Sequence, residues 1–213
     1  MDGHPRQNPA YRLADESPAA QLTAGLSISV MMAAMNDAAL PSAAADVVAT
    51  LGLEPHPEGG FFRETFRAVE VVDTAQGRRA SATSIAFLLT AERPSRFHRL
   101  LSDELWVHRA GAPLELWLLA PEGAARCVLL GPARGDAPAG SSPVARVPAL
   151  TWQAARVAPA DPGSASSPAS DPGWALVSCV VAPGFEYADF ELARAAVLRA
   201  GWPSAVALIA ELT

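Results

Sequence analysis

Two histidines, a glutamate and a tryptophan lie close together in SRFHRLLSDELWVHRAG, residues 95–111, and side chains of these types suit acid–base chemistry on a small molecule. Read as a strand, ELWVHR has a period of two, which puts Glu104, Trp106 and His108 on one face and Leu105 and Val107 on the other. By the same rule Arg96 and His98 share a face one strand earlier. An imidazole can take a proton at neutral pH, a carboxyl group can return it, and an indole offers a flat wall to a ring. His98, Glu104 and His108 are therefore the candidate catalytic groups, with Trp106 in contact with the ligand. The competing explanation makes both histidines rim residues bonded to nearby carboxylates and Trp106 a space filler. Convergence of several such groups on one wall favours the chemical reading.

A second stretch, GGFFRETFR, alternates so that Phe61, Arg63, Thr65 and Arg67 take one face against Phe62, Glu64 and Phe66. An inward Arg63 would present a planar fork to a carboxylate or phosphate on a ligand; an ion pair with Glu58, Glu64 or Glu104 is its alternative use. Glu186, Tyr187 and Phe190 follow the Pro183-Gly184 turn as candidates for the rim of a cavity, and Glu186 is taken as a ligand contact.

These side chains must be positioned by strands. Short apolar or alternating runs, punctuated by Gly and Pro, follow one another from residue 59 onward: GGFFRETFRA, ATSIAFLLT, SRFHRL, ELWVHRAG, LELWLLAP, ARCVLLG, ARVPALTWQAARV and WALVSCVVAPGF. Many turn-separated strands before any long helix predict an all-β sandwich, jelly roll or small barrel. SAAADVVATL, residues 42–51, predicts one helix with Ser42 as its cap and Gly52 as its stop. From Asp189 onward, DFELARAAVLRAG and SAVALIAEL predict two terminal helices, split at residues 201–203 and covering one end of the barrel. Residues 1–40 lack a sustained period and read as a disordered extension, and PADPGSASSPASDPG, residues 159–173, reads as a low-complexity loop. A single domain over residues 41–213 is expected.

Composition removes several functions. The formal charge is −6, and all 16 cations are arginine, so Schiff-base lysine chemistry and the P-loop lysine are excluded, and nucleic acid is not an expected partner. G-x-G-x-x-G, G-x-S-x-G and H-E-x-x-H are absent. Cys127 and Cys179 lie in apolar runs without ligand spacing, which predicts free, buried thiols in a reducing compartment. The apolar run over residues 22–35 is too short to span a bilayer, and Asp15 and Glu16 precede it where a signal peptide carries positive charge. A cytoplasmic protein, with no membrane partner, is expected; Met31, Met32 or Met35 is an alternative start.

The spacing from Glu104 to Gly111, with His98 upstream, resembles the first signature motif of the cupins, and Pro148, Leu150 and Gln153 of VPALTWQ resemble the second, P-x-G-x-x-H. PHPEGGFFRETFR, SRFHRLLSDELWVHRAG, VPALTWQ and SCVVAPGFEYADFEL are similar, in order, to the blocks of the cupin subfamily Cupin_5 (DUF985). The resemblance implies a double-stranded β-helix, a jelly-roll barrel of the kind seen in RmlC-like proteins, with a small-molecule pocket and pairing into homodimers.

Metal-binding cupins resemble one another in presenting three imidazoles and a carboxylate. Here Arg96 stands at the first imidazole position, Gln153 at the last and Leu150 at the glycine, so no tightly held metal or other cofactor is expected. A divalent metal would fall to His98, Glu104 and His108, and Gln153 becomes a ligand contact instead. The resemblance to sugar-nucleotide epimerases of this fold implies a metal-independent isomerase or epimerase with a histidine base, acting on a sugar-like or carboxylated small molecule. The alternatives are a non-catalytic binding module and a metal-dependent oxygenase.

Overall fold

The structure is a computed structural model that describes residues 40–120, 123, 125–133, 138–159 and 173–213. The extension over residues 1–40 and the loop over 159–173 thus lie almost entirely outside the described residues. Helix α1 (Ser42–Leu51) leads into β1 (Glu54–Pro55), β2 (Phe61–Arg67), β3 (Val71–Thr74), β4 (Gly77–Ala80), β5 (Thr83–Thr90), β6 (Ser95–Leu100) and β7 (Asp103–Gly111). Then come β8 (Leu114–Leu119), β9 (Ala125–Leu130), β10 (Val144–Val147), β11 (Trp152–Val157), β12 (Trp174–Ala182), β13 (Phe190–Leu192), α2 (Ala195–Gly201) and α3 (Val206–Glu211).

Two antiparallel sheets carry the fold, ordered β1-β2-β5-β12-β7-β10 and β13-β6-β11-β8-β9. Their inner faces meet in one core, with Phe87, Leu89, Trp106, Val177 and Cys179 from the first sheet against Leu114, Leu116, Leu118, Leu130 and Ala155 from the second. Strict alternation makes this possible: β12 buries Ala175, Val177, Cys179 and Val181, and β7 buries Glu104, Trp106 and His108. The expected all-β jelly roll with a short leading helix is the observed architecture. The exposed β3–β4 hairpin is an addition that the run pattern did not predict.

Four local expectations are corrected. Ser42 does not cap α1; Pro41 occupies the N-cap, its carbonyl accepting from the Ala45 N–H at 3.0 Å, and no side-chain cap bond forms. The stop at Gly52 holds, with φ of 61° in the left-handed region. Residues 190–192 are not helical: DFEL alternates, and β13 pairs with β6 through Phe190 and Leu100. The two remaining helices do not close an end; Leu198, Ala205, Ile209 and Leu212 pack on Phe97, Leu119, Trp152 and Ala154, the outer face of the five-stranded sheet. Cys127 is exposed on the edge strand β9, whereas Cys179 is buried as expected, and both are free thiols. Among the described residues no helix is long and apolar enough to cross a membrane.

Candidate functional site

β7, β11 and β12 build one wall. Trp106 is fully buried, and its indole N–H donates to Gln153 Oε1 at 2.9 Å. An indole nitrogen only donates, so this contact fixes the amide orientation and turns Gln153 Nε2 onto Glu104 Oε2, a short hydrogen bond. The Cys179 thiol donates to the same carboxyl group. Burial pushes Glu104 above the usual carboxylate range, against the pull of His98, and Glu58 adds a further upward push. The alternation that placed Glu104 and Trp106 together holds, but Trp106 is part of the wall, edge-on to Phe87 at 5.9 Å between centroids.

The opposing wall comes from the turn between β1 and β2. His56 N–H donates to the Gly60 carbonyl at 3.1 Å and Gly59 N–H to the His56 carbonyl at 3.0 Å, folding HPEGG into a tight loop beneath β6. Glycine is required there: a Cβ on Gly59, whose φ is 123°, would lie 1.9 Å from the Pro94 carbonyl oxygen. The close approach lets Arg96 N–H donate to the Glu58 carbonyl at 2.9 Å and Ser95 Oγ to Glu58 Oε1 at 2.8 Å. Glu58 Oε2 then stands 3.4 Å from His56 Nδ1 and 3.4 Å from His98 Nε2.

Hydrogen placement follows from the partners. His98 Nδ1 faces the Arg96 carbonyl oxygen at 2.8 Å, an acceptor, so Nδ1 carries the hydrogen and Nε2 presents its lone pair to Glu58. His56 Nδ1 receives the Glu58 backbone N–H at 3.3 Å and so also presents a lone pair. A carboxyl oxygen between two acceptors is best satisfied protonated. Burial accordingly pushes Glu58 up to about 8, despite Ser95 and Arg96. Burial, with His98 nearby, pushes His56 down to about 3, and burial lowers His98 against the opposing pull of Glu104. At neutral pH the carboxyl group holds the proton and the imidazoles do not, the inverse of the usual order.

Aromatic rings close around this pair. Phe62 meets His56 edge-on at 4.5 Å, and Phe190 lies tilted against His98 at 5.5 Å. Tyr187 packs on Phe185 at 5.1 Å, its hydroxyl pushed upward by burial and by the charges of Glu58, Glu54 and Glu64. Arg67 and Glu186, paired at 2.9 Å, stand alongside.

Family membership is decided by a match over residues 45–193 to the family model described as Cupin superfamily (DUF985). The chain belongs to the Cupin_5 family. A solved hypothetical protein from Leishmania major is 35% identical, with a TM-score of 0.69 over 79% of this chain and 97% of that one. A solved protein from Shewanella oneidensis is 34% identical, with a TM-score of 0.66 over 79% of this chain and 95% of that one. Among curated proteins nothing matches.

The three-imidazole, one-carboxylate donor set of metal-binding cupins is not present at its motif positions in this Cupin_5 chain. Arg96, at one imidazole position, spends its guanidinium on the carbonyls of Pro57 and Glu58. Gln153, at another, spends its oxygen on Trp106 and its nitrogen on Glu104. His108 is buried, yet its Nε2 lies 3.0 Å from the Ala112 carbonyl, so that nitrogen carries a hydrogen. Among the described residues no three His, Cys, Asp or Glu side chains converge as metal ligands do. Leu150, at the motif's glycine position, adopts the glycine conformation, with φ of 65°.

The remaining expected residues separate. His98, Glu104 and Gln153 come together, Gln153 lying opposite His98 across the β6–β11 pair. His108 turns to the Ala112 carbonyl instead of joining them. Arg63 is exposed and donates to the Leu51 carbonyl at 3.0 Å, sealing α1, because Phe62 and Glu64 hold the inward face of β2. A bulge between Glu64 and Phe66 then flips the strand, so that Arg67, not Arg63, meets Glu64 and Glu186. His56 and Glu58 were not singled out as chemical groups; the available signal was their i, i+2 spacing just before two glycines.

Proposed function

We propose that this cupin is a metal-independent isomerase that moves a proton on a small, sugar-like molecule held against Glu58 and His98. The carrying observation is the 3.4 Å contact between Glu58 Oε2 and the lone-pair nitrogen of His98. His98 Nε2 takes a proton from a carbon beside a carbonyl: a C–H bond breaks and an N–H bond forms. Glu58 gives its own proton to the carbonyl oxygen, forming an enediol. His98 then gives its proton to the former carbonyl carbon while ionised Glu58 takes the proton of the neighbouring hydroxyl, whose oxygen becomes the new carbonyl, and both Glu58 and His98 are restored. Acid and base on one side of the substrate support a same-face transfer over an epimerisation, which needs groups on opposite faces. Gln153 and Trp106 hold Glu104 beneath the pair, so its contribution is electrostatic.

Deuterium wash-in tests this reading. Aldoses, ketoses and 2-oxo acids incubated with the protein in D2O are followed by NMR, with His98→Ala and Glu58→Gln alongside and their folding checked by circular dichroism. Exchange at a carbon-bound hydrogen that both variants abolish is expected. A retained compound released unchanged, with no exchange, would instead make the protein a binding module; turnover lost to a chelator would favour a metal-dependent oxygenase.

The two unpaired thiols support a reducing, cytoplasmic setting. The exposed Leu105 and Val144, on adjacent strands, support a homodimer, which sedimentation as a monomer would contradict.

A further inference from the structure

Charged groups around the pair are strongly one-sided. Glu54 and Glu64 both act on the Tyr187 hydroxyl, and Glu186 precedes it in sequence, while Glu58 is neutral at pH 7. The cation alongside them, Arg67, is already engaged. Its Nε and Nη2 donate to the two oxygens of Glu64 at 3.1 and 2.9 Å, its Nη1 to Glu186 at 2.9 Å, and Nη2 again to the Phe185 carbonyl at 3.3 Å. Deeper in, Arg96 is turned to the backbone carbonyls of Pro57 and Glu58. Arg63, the residue that would have held an anion, is bonded to Leu51 away from the site.

The hydrogen-bonding capacity has the same bias. His98 Nε2 carries no hydrogen and His56 Nδ1 already accepts the Glu58 backbone N–H, so neither nitrogen can donate to an anion. Bringing an anion to such a site would cost desolvation, with Arg63, Arg67 and Arg96 among the described residues all engaged elsewhere, and it would meet the carboxylates of Glu64 and Glu186. A neutral or cationic molecule meets neither cost.

Resting on the isomerase reading of this site, we infer that its substrate class is uncharged or cationic, and that anions, including sugar phosphates and sugar acids, are rejected. Glu64 and Glu186 set this selectivity by neutralising Arg67 and keeping it from an incoming carboxylate or phosphate.

The test uses the full chain labelled at histidine, whose four imidazoles give separable NMR signals. A library of small polar fragments, divided equally among anionic, neutral and cationic members, is screened at pH 7 for shifts of the His56 and His98 signals. Anions are expected to be at least tenfold under-represented among the hits. In the Glu64→Gln/Glu186→Gln protein, whose fold the unaltered His108 signal reports, anions should gain at least fivefold in apparent affinity while neutral hits stay unchanged. Anions binding the wild-type protein as often as neutral fragments would overturn the inference while leaving the acid–base reading standing. No fragment shifting either signal would remove the ligand site, and both readings with it.

Discussion

Glu58 Oε2 faces the unprotonated Nε2 of His98 at 3.4 Å, and His56 Nδ1 faces the same oxygen at the same distance. Neither nitrogen carries a hydrogen to donate and the His98 lone pair is open to that oxygen, which favours a hydrogen on the carboxyl group, and removal from water favours the neutral form of all three groups. Glu58 is thus kept as a neutral acid beside neutral bases.

Stability should depend on pH in a way set by these groups. Folded Glu58 keeps its proton up to about 8, while an unfolded carboxyl loses it near its ordinary value. The folded state therefore binds more protons across that window, so this contribution is complete at low pH and is lost as pH rises toward about 8. Glu104, also raised, acts with the same sign. His56, lowered to about 3, acts oppositely: its contribution is present above the ordinary imidazole value and lost as pH falls toward about 3. His98 follows His56. The two trends oppose each other in mildly acidic solution, and above the imidazole range only the carboxyl trend remains. Urea unfolding from pH 5 to 9 should show stability falling from roughly 6.5 upward, and Glu58→Gln should flatten that fall. An unchanged slope in the variant would contradict the assignment.

Gln153→Leu removes both bonds that the amide makes, leaving the buried Trp106 N–H unpaired and Glu104 short of a donor. A loss of ~2–4 kcal/mol in urea unfolding is expected, at the level of a broken buried polar network. A change under ~0.5 kcal/mol, the range of ordinary surface substitutions, would show that the bridge does not hold the wall.

Leu150 occupies the left-handed region with φ of 65°, and about half of its surface is exposed, at 49%. A side chain there carries ~1–2 kcal/mol of backbone strain, partly offset by glycine's greater freedom when unfolded. Leu150→Gly should therefore stabilise the protein by ~0.5–1 kcal/mol in thermal or urea unfolding. Destabilisation would mean that Leu150 packs usefully despite its exposure.

Arg63→Ala should cost under ~1 kcal/mol, since it removes one exposed bond to the Leu51 carbonyl. Ligand affinity should not change. A tenfold loss of affinity with the fold intact would return Arg63 to the site.

What the sequence revealed of the site follows from periodicity. Glu104, Trp106 and His108 sit on a regular strand, so alternation alone put them on one inner face, though it could not say that His108 would turn to Ala112. His56 and Glu58 lie in a turn, where no period exists, and their role depends on two glycines that let the loop press against Pro94. β2 was ambiguous for a different reason: Phe61 packs beneath α1 and Phe62 packs toward the core, so both faces begin apolar and the inward one is not marked. The bulge after Glu64 then reversed the faces, which an alternation argument cannot foresee. The terminal helix is overextended because DFEL, with only two apolar residues, is too short for its alternation to be told from a helical period; pairing with β6 decides it.

The most direct test of the account is an infrared titration of the carboxyl groups, comparing the wild-type protein with Glu58→Gln between pH 5 and 9. A protonated-carboxyl component present at pH 7, lost as pH rises through about 8 and missing from the variant's spectrum by difference, is the result that the Glu58–His98 arrangement predicts. A wild-type spectrum at pH 7 with only ionised carboxylate, unchanged by the substitution, would contradict it: Glu58 would then be a charged partner of a protonated histidine, and the proton-transfer reading would fall.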